Sequence, residues 1–358
     1  MIPVDEAWSM FNKNSSYKIP ETIKKITIKK NIPKCSDIYI STMTKIAYLN
    51  EHIDLKENFW KIPVIPYHKR ACGIIKKQMK VSSTSEEEIQ QLKNRVNNEN
   101  IENINVCLDI IKQVQGSKKI KFKDIRKINI GLSRKDIISI RKKKKGAFYN
   151  CFVIIIRVLH KGIFKEINVK VFNTGKLEIP GIREEAVLFK ALNILIETLR
   201  PFNSHQLCYD KDNIKTVLIN SNFSSNYYID RNKFYTILKY KYRINVIFDS
   251  CSYPGIQCKF YYNKNNIEND GICNCTHKCS KKGTGKGDGE CKEISFMIFR
   301  TGSILIVGNC TKKILYIIYN FLKKILHTEY EEIKTESGVK STSTKKKRLR
   351  KKQILIRK

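Results

Sequence analysis

The sequence predicts an α+β fold built from two copies of one unit. Three observations carry this: a hairpin written twice, a helical pattern after each copy, and a matching strand and helix before each. The segment VKVFNTGKLEIPGI, Val169 to Ile182, recurs as FMIFRTGSILIVGN, Phe296 to Asn309, at an offset of 127 residues with five identities in fourteen positions. In this register Phe172 meets Phe299, Thr174 meets Thr301, Gly175 meets Gly302, Ile179 meets Ile306 and Gly181 meets Gly308.

Each copy reads as two strands around a tight turn, because an apolar alternating run breaks at Thr-Gly and then resumes. After the first hairpin Leu188, Leu192, Leu195 and Leu199 fall at helical spacing; after the second, Ile314, Ile318, Phe321, Leu322 and Ile325 do the same. Upstream lie the strand-like stretches Asp37 to Ala47 and Lys215 to Phe223. Each is followed by a segment that opens on Asp and can start a helix, Asp54 to Trp60 and Asp230 to Lys241. The repeats are expected at 37–202 and 203–327, between an N-terminal extension at 1–36 and a basic disordered tail at 328–358.

Two insertions interrupt the units. The first, about 81–146, opens on SSTSEEE, a capping signal with an acidic first turn, runs through a polar, weakly helical Ile89 to Gln115 and ends in RKKKKG. A partner-docking role and a plain solvated helix are both open for it. The stretch Cys72 to Lys80 also resembles a strand of the unit, so either it or Cys151 to Val158 can lie beside Phe172. The second insertion, about 264–292, holds Cys273, Cys275, Cys279 and Cys291 around a Gly-Lys-rich stretch, with His277 as an alternative ligand. Four thiols this close can close a tetrahedral zinc site, although the spacing is not a common finger pattern and free thiols in a loop are the plain alternative. GTGKGDG, Gly283 to Gly289, lacks the order of a phosphate-binding loop.

The chain carries 69 Lys and Arg against 33 Asp and Glu, a formal charge of +36. A polyanion is the expected partner. Ten of the basic residues lie in Lys340 to Lys358, where there is no acid, and the body stays basic without them. Such a segment can serve as a nuclear localisation signal or a nonspecific DNA arm. Met1 to Asn12 includes Asp5 and Glu6 and no long apolar core, and the apolar runs elsewhere are far shorter than the roughly 20 residues of a membrane helix. The expectation is an intracellular chain with no membrane partner, whose 12 Cys are thiols or metal ligands. The six His are scattered, and neither H-E-x-x-H nor G-x-S-x-G occurs, so no enzyme and no small-molecule substrate are expected.

The order of elements and the paired F-x-T-G signatures resemble the TATA-box-binding protein family, especially its divergent versions in nucleocytoplasmic large DNA viruses. FNTGKLEIPGI, Phe172 to Ile182, and YPGIQCKFYYN, Tyr253 to Asn263, are the best-matching segments, within a resemblance spanning roughly Asp37 to His327. It implies a two-repeat saddle whose open sheet sits on the DNA minor groove, with Phe wedges that unstack base steps and helices on the far side. Carried over, the wedges fall on Phe172, Phe299 and Tyr253. The remaining first-half wedge falls on Cys151, with Phe148 and Phe152 nearby. Phosphate contacts fall on Arg157, Lys259 and Lys176. The Thr that reaches central bases in the family falls on Pro180 and Val307, and neither can donate a hydrogen bond. The implied role is an initiation factor that binds and bends A·T-rich promoter DNA and recruits other initiation factors or RNA polymerase, in the nucleus or a cytoplasmic viral factory. The alternative is an architectural or protein-docking module with little sequence preference.

Overall fold

Strands begin where β-branched and aromatic residues alternate with polar ones, and the first such run, Tyr39–Tyr48 (β1), buries Met43, Lys45 and Ala47 on one face. The computed structural model describes residues 32–99, 104–114, 122–138 and 149–336. The chain divides into 1–33, of which only 32 and 33 are described, and 34–358, which holds all the structure below. The stretch RKKKKG, Phe148 and the basic tail from 337 onward lie outside the described residues.

After β1, Asp54 caps a short helix, Leu55–Lys61 (α1), its carboxylate accepting from Glu57 N at 2.9 Å. Next come β2 (Gly73–Ser83), α2 (Glu86–Asn98), β3 (Val106–Val114), β4 (Lys123–Gly131) and α3 (Arg134–Ile138). The first repeat closes with β5 (Cys151–His160), β6 (Ile163–Phe172), β7 (Lys176–Ile182) and α4 (Glu185–Leu199). The second runs through β8 (Lys215–Ser224), β9 (Tyr228–Ile229), α5 (Arg231–Thr236), β10 (Asn245–Ile247), β11 (Gly255–Tyr262), β12 (Lys292–Phe299), β13 (Ser303–Gly308) and α6 (Lys312–Thr328). Asp230 caps α5 as Asp54 caps α1, accepting from Asn232 N and Lys233 N.

Among the described residues, twelve strands form one antiparallel sheet in the order β10-β11-β12-β13-β8-β1-β7-β6-β5-β2-β4-β3. The two repeats meet at the β8–β1 pair, and from there the order β13-β12-β11-β10 on one side mirrors β7-β6-β5-β2 on the other. This is the α+β two-repeat architecture expected from the sequence. Each repeat packs its helices over its own apolar cluster. One is built on Phe152, Val169, Val171, Leu188 and Leu192, and the other on Phe260, Phe296, Ile306, Ile318 and Leu322. Along each hairpin strand burial alternates, so every second side chain points away from the helices onto an open face.

The turns that close the two hairpins are alike in detail. Gly175 N donates to Phe172 O at 3.0 Å and Gly302 N to Phe299 O at 2.9 Å, with φ of +76° and +77°. A Cβ at Gly175 would lie 2.4 Å from Glu51 O, and one at Gly302 2.1 Å from Tyr227 O. Glycine is required twice for the same reason: the turn leans on the loop that follows β1 or β8.

Three expectations change. The predicted run Ile89 to Gln115 is a helix only to Asn98; Val106–Val114 is a strand, because pairing with β4 outweighs weak helical propensity. The choice between the two candidate strands is settled, since β5 pairs with β6 along its whole length and β2 lies one place further out. The tail starts later than 328. Helix α7 (Tyr330–Ile333) and β14 (Lys334–Thr335) fold back onto β9, with Glu329 and Ile333 buried.

Candidate nucleic-acid interface and cysteine cluster

The open face is defined by register. Phe172 pairs with Cys151 across β5–β6, and Phe299 pairs with Gly255 across β11–β12. Both Phe rings are half-buried and stand on the face opposite Val171 and Ile298. Tyr253, two residues before Gly255, sets its ring 5.9 Å from that of Phe299 at an interplanar angle of 62°. The two aromatics form one corner of the open face.

The equivalent residue in the first repeat lies two before Cys151, and it is Tyr149. Its ring is half exposed, with Lys80 Nζ 3.6 Å from the centroid. By register Cys151 is the counterpart of Gly255, and Tyr149 is the first-half residue at the position of Tyr253. The signal was there: the spacing from Gly255 back to Tyr253, applied to β5, lands on Tyr149. Lys176 Nζ lies 5.6 Å from the Phe172 ring, so a lysine stands over one aromatic at each of these two positions.

Other predicted residues sit elsewhere. Phe152 is fully buried in the first core, 6.3 Å from Phe59, because it falls on the helix-packed parity of β5; it is not an interface residue. Arg157 is 5% exposed, and its guanidinium donates to Lys69 O at 2.7 Å and Tyr67 O at 2.9 Å while stacking on Tyr67. It fastens the 63–72 loop to the sheet, and its charge is committed there instead of to phosphate. Lys259 does lie on the open face, donating to Glu293 at 2.5 Å and Ser295 Oγ at 2.9 Å. Val307 also lies there, beside Asn220. Thr42 and Asn220 pair across the junction of the repeats on the same face, placing a hydroxyl and an amide at its centre where the hairpins supply neither.

The cysteine loop forms a second site. Cys273, Cys275, Cys279 and Cys291 bring their sulfurs within 4.8 Å of one another, Cys275 to Cys291 at 3.3 Å and Cys291 to Cys273 at 3.6 Å. This group can hold a metal ion. A zinc tetrahedron with Zn–S near 2.3 Å has sulfur–sulfur edges of about 3.8 Å, so the donor set fits. Burial opposes ionisation of Cys279, yet N–H groups of Lys281 and Cys291 bring its thiol down to about 7. His277 is not among these donors. Its Nδ1 bonds Asp288 at 2.5 Å, and Asp288 also accepts from Thr276 N and Thr276 Oγ1, which holds the imidazole outward.

The described residues thus form a duplicated antiparallel sheet with helices over one face and F-x-T-G turns presenting aromatics on the other. In keeping with this, the chain is similar to a protein of Acanthamoeba polyphaga mimivirus described as TATA-box-binding protein-like. The two are 25% identical over 292 residues, 73% of this chain and 74% of the relative. Among solved structures, Methanococcus jannaschii TBP covers 83% of this chain and 99% of its own, at 11% identity and a TM-score of 0.38. No family model matches the chain.

Proposed function

We propose that the open face binds double-stranded DNA through the minor groove and bends it, as an initiation factor acting on A·T-rich promoter sequence without catalysis of its own. The observation that carries this reading is the two-fold recurrence of the Phe-x-Thr-Gly corner, with Phe172 and Phe299 on one face, Tyr253 against Phe299 and Tyr149 at the matching position of the first repeat. Paired apolar wedges are what minor-groove kinking needs, since unstacking a step costs a few kcal/mol and inserted side chains offset it. The name of the mimivirus relative supports the same reading. Binding to other initiation factors or RNA polymerase, and work in a nucleus or viral factory, belong to this proposal.

Gel shifts on random against A·T-rich duplex test it, because minor-groove readout separates mainly A·T from G·C. A clear A·T preference is expected. Equal binding to both would favour the architectural or docking alternative. The sulfur geometry favours a second reading alongside the first: the four thiols hold a zinc ion.

A further inference from the structure

The two repeats also differ between their third and fourth strands. In the first, β5 and β6 are joined by the tight turn Lys161–Gly162, with His160 paired to Ile163. In the second, the same connection is the 263–291 loop. Between Lys264 and Glu290 no hydrophobic side chain is buried, and Ile267 is 91% exposed. A loop of this length without apolar burial has little to offset the entropy of ordering it. What converges inside it is sulfur. Cys291, fully buried, stands next to β12, and Asn263, 6% exposed, directly follows β11. Asn263 Nδ2 donates to Gly287 O and points at Cys275 Sγ (3.9 Å) and Cys291 Sγ (3.7 Å). Lys281 N donates to Cys279 Sγ at 3.3 Å. N–H groups aimed at several sulfurs are how a metal–thiolate centre is supported from outside its ligands.

We infer that a zinc ion held by Cys273, Cys275, Cys279 and Cys291 replaces the missing core of this loop, so that residues 264–290 fold as a metal-dependent unit, with Asn263 positioning the ligands from the end of β11. The inference rests on the zinc reading and adds to it. The metal orders the loop and leaves the sheet standing, because the first repeat makes the same sheet with a tight turn in that place. Metal binding and loop folding are then one equilibrium.

The test uses the full chain purified under reducing conditions. Metal analysis is expected to give about one zinc per chain, and loss of it in Cys275→Ser and Cys279→Ser. A chain without metal, or one carrying iron, overturns the zinc reading and the inference with it. Hydrogen exchange is then compared before and after chelation. Amides of Lys281, Gly283 and Gly285, which donate inside the loop, are expected to lose protection, while those of β11 and β12 keep theirs. Unchanged loop protection after zinc is removed overturns the inference and leaves the zinc reading intact. Loss of protection across β11 and β12 as well overturns the independence of loop and sheet. Asn263→Ala is expected to weaken zinc retention against a competing chelator by roughly 10–100-fold with near-normal β11–β12 protection. Equal retention in that variant removes the positioning role.

Discussion

A phenylalanine on a strand is usually core, and what sets Phe172 and Phe299 apart is parity: each falls on the strand position opposite the buried Val171 and Ile298. Phe299→Ala is expected to lower both DNA affinity and bend angle, read separately by fluorescence transfer across a labelled A·T-rich duplex. Tyr149→Ala is expected to do the same in the first half, where Cys151→Ala changes neither. If the Phe299 and Tyr149 variants both bend DNA like the parent, intercalation fails as the mechanism. Arg157→Ala belongs to stability instead. It leaves the Lys69 and Tyr67 carbonyls without their charged donor and is expected to cost about 1–3 kcal/mol in urea unfolding. The aromatics at 172 and 299 were legible in the sequence because the motif containing them recurs. Phe152 misled because resemblance by spacing says nothing of parity, and one residue of slip moves a side chain to the other face; Arg157 keeps the open-face parity, but the 63–72 loop takes up its guanidinium, a contact that no local pattern shows.

Whole elements were legible wherever a local signal stood alone, as with the Asp caps of α1 and α5 and the leucine spacing of α4. They were misread where partners decide, as in Val106–Val114, whose strand state comes from pairing with β4. The Thr-Gly turns are the elements on which the repeat architecture depends most. Gly175→Ala and Gly302→Ala should each destabilise the fold by about 1–3 kcal/mol from backbone strain, with more from the carbonyl that a Cβ would meet at 2.4 or 2.1 Å. Gly162→Ala, at φ +73° with nothing within 4 Å of its Cβ, should cost the strain alone; three equal melts would remove the close approach as the reason for glycine. At the end of α6, Glu329 accepts from Lys241 at 2.8 Å and Tyr242 Oη at 2.6 Å. Burial works against its charge, but these donors win and hold its carboxyl below the usual range. A depressed carboxylate contributes stability that is present above its unfolded pKa and lost as pH falls through the folded one. Acidification from pH 5 downward should thus destabilise the parent more than Glu329→Gln, as followed by denaturant melts at each pH. Parallel curves would deny Glu329 that role.

At the scale of the molecule, not all of the charge of +36 is free to meet a polyanion, because two open-face lysines already have acids beside them. Lys170 meets Glu178 at 2.7 Å and Lys259 meets Glu293 at 2.5 Å. A phosphate must compete with those carboxylates, so Lys259→Ala is expected to weaken DNA binding while Glu293→Gln strengthens it, with no change in bend for either. Composition alone could not show this division, since it counts charges without pairing them. The segment 340–358 carries ten basic residues and no acid, and it lies outside the two repeats. Counterion release makes log affinity fall linearly with log salt, with a slope near −0.9 for each phosphate neutralised. Removing 340–358 should therefore flatten the slope and weaken binding on every sequence alike. The ratio of A·T-rich to random affinity, and the bend, should stay as they were, because in the proposed binding mode both arise from the wedges and the shape of the groove. Titrations of the full and shortened chains at several salt concentrations decide the matter. If the shortened chain loses its A·T preference together with its affinity, the basic tail supplies the recognition and the open face of the sheet does not.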